Sequence, residues 1–246
     1  MQDVSSQEVM ITYLKNIVKD LRQFRQFQRT VQAPTPWLVP GAVDFLSDAV
    51  QPDSRVLEFG GGGSTLWFLQ RAGLVVTCEA NIEWARSLIK YIRNNSSCAQ
   101  KWRLWFVNSD WNIDAEGNRW HFKNGLEVLN EAVMSTMESD FVSFPLGDFD
   151  IILNDGSVRA LALASIIKRI ENSPKQIVIV VDNTEKPFRD EYTRALIPST
   201  WPRYDFVNEG PKMCNKIEPN SRTTIWIKPS TLCVTQESLG ENFEYP

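Results

Sequence analysis

Long apolar runs, basic blocks and clustered cysteines are all scarce in this chain of 246 residues. No uninterrupted apolar stretch approaches the roughly 18 residues of a spanning helix. The start, Met1-Gln2-Asp3-Val4-Ser5-Ser6, shows no basic cluster running into an apolar one, so neither a membrane span nor a leader is expected and a soluble, cytoplasmic protein is. The four cysteines, Cys78, Cys98, Cys214 and Cys233, form no C-x-x-C pair, which argues against a zinc site and against a disulfide scaffold. Formal charge is −4 with no Lys/Arg-dense block, so no nucleic-acid partner is expected. What remains is ordinary globular composition, 43% hydrophobic and 23% charged, enough to bury one core of good size. One principal domain is expected over residues 36–230, preceded by a helical segment, 1–35, and followed by a peripheral tail, 231–246.

In the leading segment Met10, Leu14, Ile17, Leu21 and Phe24 recur at steps of four and three, with Lys15, Lys19, Arg22 and Arg25 between them. This is the stripe of an amphipathic helix over Val9–Phe27. Its uses are packing against the main domain, a lid, or a homodimer contact. Ala33-Pro34-Thr35-Pro36-Trp37 breaks it, and a short helix follows over Pro40–Ala49. Thereafter short β-branched runs alternate with helical stretches. Strands are expected at Arg55–Phe59, Leu74–Cys78, Trp102–Val107, Phe149–Leu153 and Gln176–Val181. Helices are expected at Thr65–Arg71, Ile82–Arg93 and Ser157–Glu171, with Gly73 at a helix C-terminus. Such alternation implies an α/β fold with a parallel sheet and helices on both faces. Tyr204–Val207 and Thr223–Ile227, with no helical pattern between them, read as an antiparallel hairpin closing the sheet edge.

The sharpest local signal is Val56-Leu57-Glu58-Phe59-Gly60-Gly61-Gly62-Gly63-Ser64-Thr65, a buried strand entering four glycines and then a helix. Glycines let the backbone turn tightly and approach a ligand, and the helix start offers free N–H groups. A dinucleotide fingerprint would need a third glycine where Thr65 stands. Glu58, just before the loop, would repel a pyrophosphate but suits an ammonium group. S-adenosylmethionine carries a sulfonium and an amino group, and its carboxylate suits amides at a helix start. A second acid, Glu79, stands at the end of the next strand, where a carboxylate accepts hydrogen bonds from ribose hydroxyls. Asn108 and Asp110, past the third strand, are placed for the adenine edge.

These residues resemble the class I S-adenosylmethionine-dependent methyltransferases over roughly Pro36–Lys228. The most specific elements are Leu57-Glu58-Phe59-Gly60-x-Gly62-Gly63-Ser64-Thr65-Leu66-Trp67 and Thr77-Cys78-Glu79-Ala80-Asn81-x-Glu83-Trp84-Ala85. The resemblance implies a Rossmann-like sheet of seven mostly parallel strands with the last antiparallel. It also implies that Glu58, Gly60, Gly62 and Ser64 line the methionine end of the donor and that Glu79 holds the ribose. Asn81 departs from the family, where many members carry an acid.

On the acceptor side the fourth and fifth strands run into Asn154-Asp155-Gly156-Ser157-x-Arg159 and Val181-Asp182-Asn183-Thr184. Polar groups at adjacent strand ends point into the ligand crevice of an open α/β sheet. Asp155, Asp182 and Asn183 resemble the metal-binding pattern of catechol-type O-methyltransferases, which implies Mg²⁺ or another divalent cation on oxygen ligands, with Asp155 and Asp182 catalytic. Those enzymes place a Lys base shortly after the first Asp; Arg159 stands here and cannot act as a base. Ordinary turn chemistry and direct substrate contact by Arg159 and Asn183 are the alternatives, Arg159 pairing with an anionic group of the acceptor or with a neighbouring acid. Trp102, Trp105, Trp111 and Trp120 form either an aromatic lid or a hydrophobic cluster, the lone His121 is either a general base or a structural residue, and Gly210-Pro211-Lys212 is a turn near the same end. The expected activity is methyl transfer to O or N of a small-molecule acceptor. A non-catalytic partner protein that keeps the fold, or a nicotinamide-dependent oxidoreductase, is the alternative.

Overall fold

The computed structural model describes residues 30–32, 34–79, 82–94, 96–106, 146–156, 159–211 and 217–231. The stripe over Val9–Phe27, residues 107–145 and the tail from 232 lie outside them. The elements are α1 (Pro40–Ala49), β1 (Arg55–Phe59), α2 (Gly63–Leu69), β2 (Leu74–Glu79), α3 (Ile82–Arg93), α4 (Ser96–Lys101) and β3 (Trp102–Phe106). After a 3₁₀ turn at Leu146–Asp148 come β4 (Ile151–Asn154), α5 (Arg159–Ile170), β5 (Ile177–Val181), α6 (Pro187–Leu196), β6 (Arg203–Val207) and β7 (Arg222–Lys228).

The seven strands form one sheet in the order β3-β2-β1-β4-β5-β7-β6. β1 pairs parallel with β2 and β4, β2 with β3, and β4 with β5, while β7 pairs antiparallel with both β5 and β6. Six strands therefore point one way and β7 the other, as expected, with β7 inserted beside β5 and β6 at the edge. The order reverses between β1 and β4, which places the crevice of this open sheet beyond their carboxyl ends.

Alternation along the strands sorts the core into two layers. Leu57, Phe59, Ile152, Ile177, Ile179 and Val181 pack with Ala162, Leu163, Ile166 and Ile170 of α5. Their neighbours Val56, Ile151, Leu153, Val178 and Val180 pack with Leu46 of α1, Leu66 and Phe68 of α2, and Leu88 and Ile92 of α3. Each such side chain contributes about 1.5–3 kcal/mol on burial, so both layers are needed to offset chain entropy. Glu58 shares the parity of Val56 and lies under α1–α3, amid apolar groups.

Several boundaries differ from the sequence expectation. Helix α2 starts at Gly63 because Thr65 Oγ1 accepts the Gly62 N–H at 2.9 Å and caps that turn. β4 starts at Ile151 rather than Phe149, whose N–H donates back to the Leu146 carbonyl at 3.2 Å and closes the 3₁₀ turn. Gly73 does not adopt the left-handed conformation of a helix-ending glycine. It admits the backbone of Pro52, whose carbonyl oxygen would stand 2.9 Å from an added Cβ. Helix α6 was not anticipated.

Candidate functional site

β1 ends at Phe59 and the chain turns at Gly60, which has a φ of +86°. A side chain there is strained, and its Cβ would stand 3.0 Å from the Asp155 carbonyl oxygen. Gly61 and Gly63 answer to crowding instead, an added Cβ falling 2.6 Å from Thr77 Cγ2 and 2.3 Å from the Thr35 carbonyl oxygen. At Gly62 the Cβ would make ordinary contact, 3.4 Å from Trp84. The expectation that the glycines clear space for a ligand is thus modified. Close packing within the protein accounts for Gly60, Gly61 and Gly63.

The two acids flank this turn. Glu58 is completely buried, and its carboxylate accepts the hydroxyls of Ser64 and Thr77, each at 2.7 Å. Burial raises its pKa from 4.5 to about 7; the hydroxyls of Thr65, Ser64 and Thr77 oppose the rise and nearby Glu79 adds to it. Ser64, partly exposed, stands between the buried Glu58 carboxylate and the surface of the turn. Glu79, 8% exposed, accepts the Gly61 N–H at 2.9 Å. The indole of Trp84 donates to the Gly61 carbonyl. Burial pushes the Cys78 thiol well up, with Glu58 and Glu79 adding to the effect. Asn108, Asp110, Trp111, Trp120, His121 and Lys212 lie outside the described residues.

At the ends of β4 and β5 the expected residues converge, but around a guanidinium. Arg159 opens α5 and is nine-tenths buried. Its Nη2 donates to the Asp155 carboxylate, to the Asp155 carbonyl at 3.1 Å and to Asn183 Oδ1 at 3.1 Å. Asn154 Nδ2 donates to the Arg159 carbonyl at 2.8 Å, tying the helix start to the strand end. Asp182 accepts the Thr223 hydroxyl at 2.7 Å; burial, with Asp155 adding, pushes its pKa to about 7. This geometry does not support the expected divalent cation on Asp155, Asp182 and Asn183. One carboxylate oxygen of Asp155 and Asn183 Oδ1 are bonded to a permanently charged side chain, which disfavours a cation beside them,. Among the described residues no group of three His, Cys, Asp or Glu side chains is disposed to hold a metal ion.

Three partners lay beyond local pattern. Thr77, the polar residue inside an apolar strand, stands in register with Glu58. Trp102, expected in an aromatic lid or a hydrophobic cluster, donates its indole N–H to Thr77 Oγ1 at 2.9 Å. Thr223 reaches Asp182 from the antiparallel strand. A lone Thr between Val76 and Cys78 was the available signal for the first.

No family model matches the sequence, and no curated protein matches it. Solved structures do. One is a candidate O-methyltransferase from Klebsiella pneumoniae, 15% identical, covering 83% of this chain and 89% of that one, with a TM-score of 0.50. The fold is that of the class I methyltransferases. An rRNA methylase from Streptococcus thermophilus is 12% identical over 75% of this chain and 92% of that one, with a TM-score of 0.45. A candidate methyltransferase from Streptococcus mutans, in complex with S-adenosylhomocysteine, is 14% identical over 75% and 94%, with a TM-score of 0.46. Because β1, β2, β4 and β5 run parallel, the glycine turn after β1, the acid ending β2 and the Arg159 cluster share one end of the sheet. No helix among the described residues is long and apolar enough to cross a membrane.

Proposed function

We propose that this chain transfers the methyl group of S-adenosylmethionine to oxygen or nitrogen of a small-molecule acceptor. The observation that carries the reading is the meeting, at the switch point of the sheet, of the glycine turn with two acids: Glu58 behind it and Glu79 bonded to its Gly61 amide. Two buried acids disfavour a pyrophosphate and fit a ligand bearing an ammonium, a sulfonium and two ribose hydroxyls. Gly60, Gly62 and Ser64 would hold the methionine end. Glu79 would accept the ribose hydroxyls beside its bond to Gly61, a carboxylate having about four acceptor positions. Asn108 and Asp110 would meet the adenine edge.

When bound, the donor supplies an activated methyl on a good leaving group, so the protein's task is to position the acceptor. Arg159 and Asn183 would contact the acceptor, Asp155 would orient Arg159, and Asp182, with a pKa near neutrality, suits removal of a proton from the acceptor atom. A net charge of −4 without a basic block favours a small molecule over RNA,. The test is incubation of the protein with labelled donor and mixtures of small molecules, with products read by mass spectrometry. A methylated small molecule supports the reading. Label found in RNA refutes the acceptor class, and donor binding without transfer to any acceptor favours a non-catalytic partner protein. Homodimerisation through the leading helix is a companion proposal, read from the sedimenting mass of the full chain.

A further inference from the structure

A chain of hydrogen bonds crosses three strands behind the glycine turn, from Trp102 on β3 through Thr77 on β2 and Glu58 on β1 to Ser64 on α2. Its direction follows from the donors. An indole N–H only donates, so Thr77 Oγ1 receives it and turns its own hydrogen to Glu58 Oε1. An ionised carboxylate only accepts, so Ser64 must give its hydrogen to Oε2. Ser64 is partly exposed while Glu58 is fully buried. The surface of the turn therefore carries Ser64 lone pairs, backed by a negative charge one hydrogen bond away.

We infer that Trp102 and Thr77 are positioning residues that fix this direction, so that Ser64 Oγ accepts an N–H of the ligand's ammonium group and turns away carboxylate or phosphate oxygens. The inference rests on the donor reading and deepens it by stating which end of the amino acid moiety Ser64 reads. The geometry also restricts where a proton can enter. Oε1 faces the Thr77 hydrogen, which the Trp102 indole holds in place, and the Thr65 hydroxyl also bonds the carboxylate; a proton that enters on Oε2, where the Ser64 hydroxyl can rotate, donates to Ser64 and turns the Ser64 hydrogen outward. The preference for an ammonium is reversed in that state. Burial holds the Glu58 pKa at about 7, so the reversal lies within an accessible pH range. The ionisable groups close to Glu58 are Glu79 and Cys78 of β2; α2 contributes the hydroxyls of Ser64 and Thr65.

The test compares S-adenosylhomocysteine with its deaminated analogue, in which hydrogen replaces the amino group, by calorimetry. Ser64→Ala weakens binding of the first by about tenfold and leaves the second within about twofold. Equal weakening of both overturns the inference. Wild-type affinity for S-adenosylhomocysteine falls as pH drops through the Glu58 pKa, and Trp102→Phe, which frees Thr77 to accept a proton from Glu58, moves that midpoint upward. A loss of equal size at every pH is a packing effect and overturns the role of Trp102. The relay is also read without ligand. The Trp102 indole N–H resonance, identified by its loss in Trp102→Phe, moves with the same midpoint in free wild-type protein and stays fixed in Glu58→Gln. A resonance that does not move in the wild type overturns the relay. A moving resonance in a protein that binds neither ligand rejects the donor reading and upholds the relay.

Discussion

Replacing Glu58 by Gln removes a charge that the fold holds unfavourably, and the effect on stability has a definite sign. Because its pKa in the folded chain is about 7 against an ordinary 4.5, the native state keeps a proton that the unfolded state has already released. Stability contributed by this group is full below the unfolded pKa and is lost as pH rises through the folded one. At about 1.4 kcal/mol per pH unit, a rise from 4.5 to about 7 amounts to roughly 3 kcal/mol,. The residue is completely buried, so solvent screening does not reduce the figure. Net stabilities are about 5–15 kcal/mol, so the loss is readily measured. Gln has no such titration; its amide meets a hydroxyl that turns round, which adds an offset independent of pH. Urea unfolding from about pH 5 to about pH 8 should show wild-type stability falling relative to Glu58→Gln by about that amount. Asp182, also raised to about 7, is present in both proteins, so its slope cancels in the difference. Parallel curves, or a wild type that gains on the variant with rising pH, would refute the burial argument.

Removing the second acid, in Glu79→Ala, should weaken S-adenosylmethionine binding by about tenfold in calorimetry; unchanged affinity would take Glu79 out of the site. Gly63→Ala, with its Cβ 2.3 Å from the Thr35 carbonyl oxygen, should cost at least about 2 kcal/mol in urea unfolding. Gly62→Ala, 3.4 Å from Trp84, should cost less than about 1,, and the opposite ranking would contradict the packing described for the turn. Because Arg159 is bonded to Asp155 and Asn183, dialysis against a chelator should leave donor affinity and methyl transfer intact. Activity lost to the chelator and restored by Mg²⁺ would restore the metal site.

Much of the fold was legible because the buried strands announce themselves. Ile177–Val181 is an unbroken β-branched run, as expected of a strand covered on both faces, and the glycine turn and both acids follow from where β1 and β2 must end. Helix α6 escaped because Phe188, Tyr192 and Leu196 are its few large apolar residues among charged ones, too weak a stripe to read alone. The site was legible in its parts and not in its connections. That Thr77 stands opposite Glu58 depends on the register of two strands, and that Trp102 reaches Thr77 depends on a third. The same limit produced the metal expectation. Asp155, Asp182 and Asn183 were visible as oxygen ligands, but the start of α5 sends the Arg159 side chain back to Asp155 and across to Asn183.

The central claim, that the turn after β1 holds S-adenosylmethionine, is tested most directly by calorimetry on the full wild-type chain, with S-adenosylhomocysteine and reduced nicotinamide dinucleotide titrated in parallel. The account predicts saturable binding of S-adenosylhomocysteine at one site per chain and none of the dinucleotide, whose pyrophosphate would face Glu58 and Glu79. Saturable binding of the dinucleotide without binding of S-adenosylhomocysteine would contradict it.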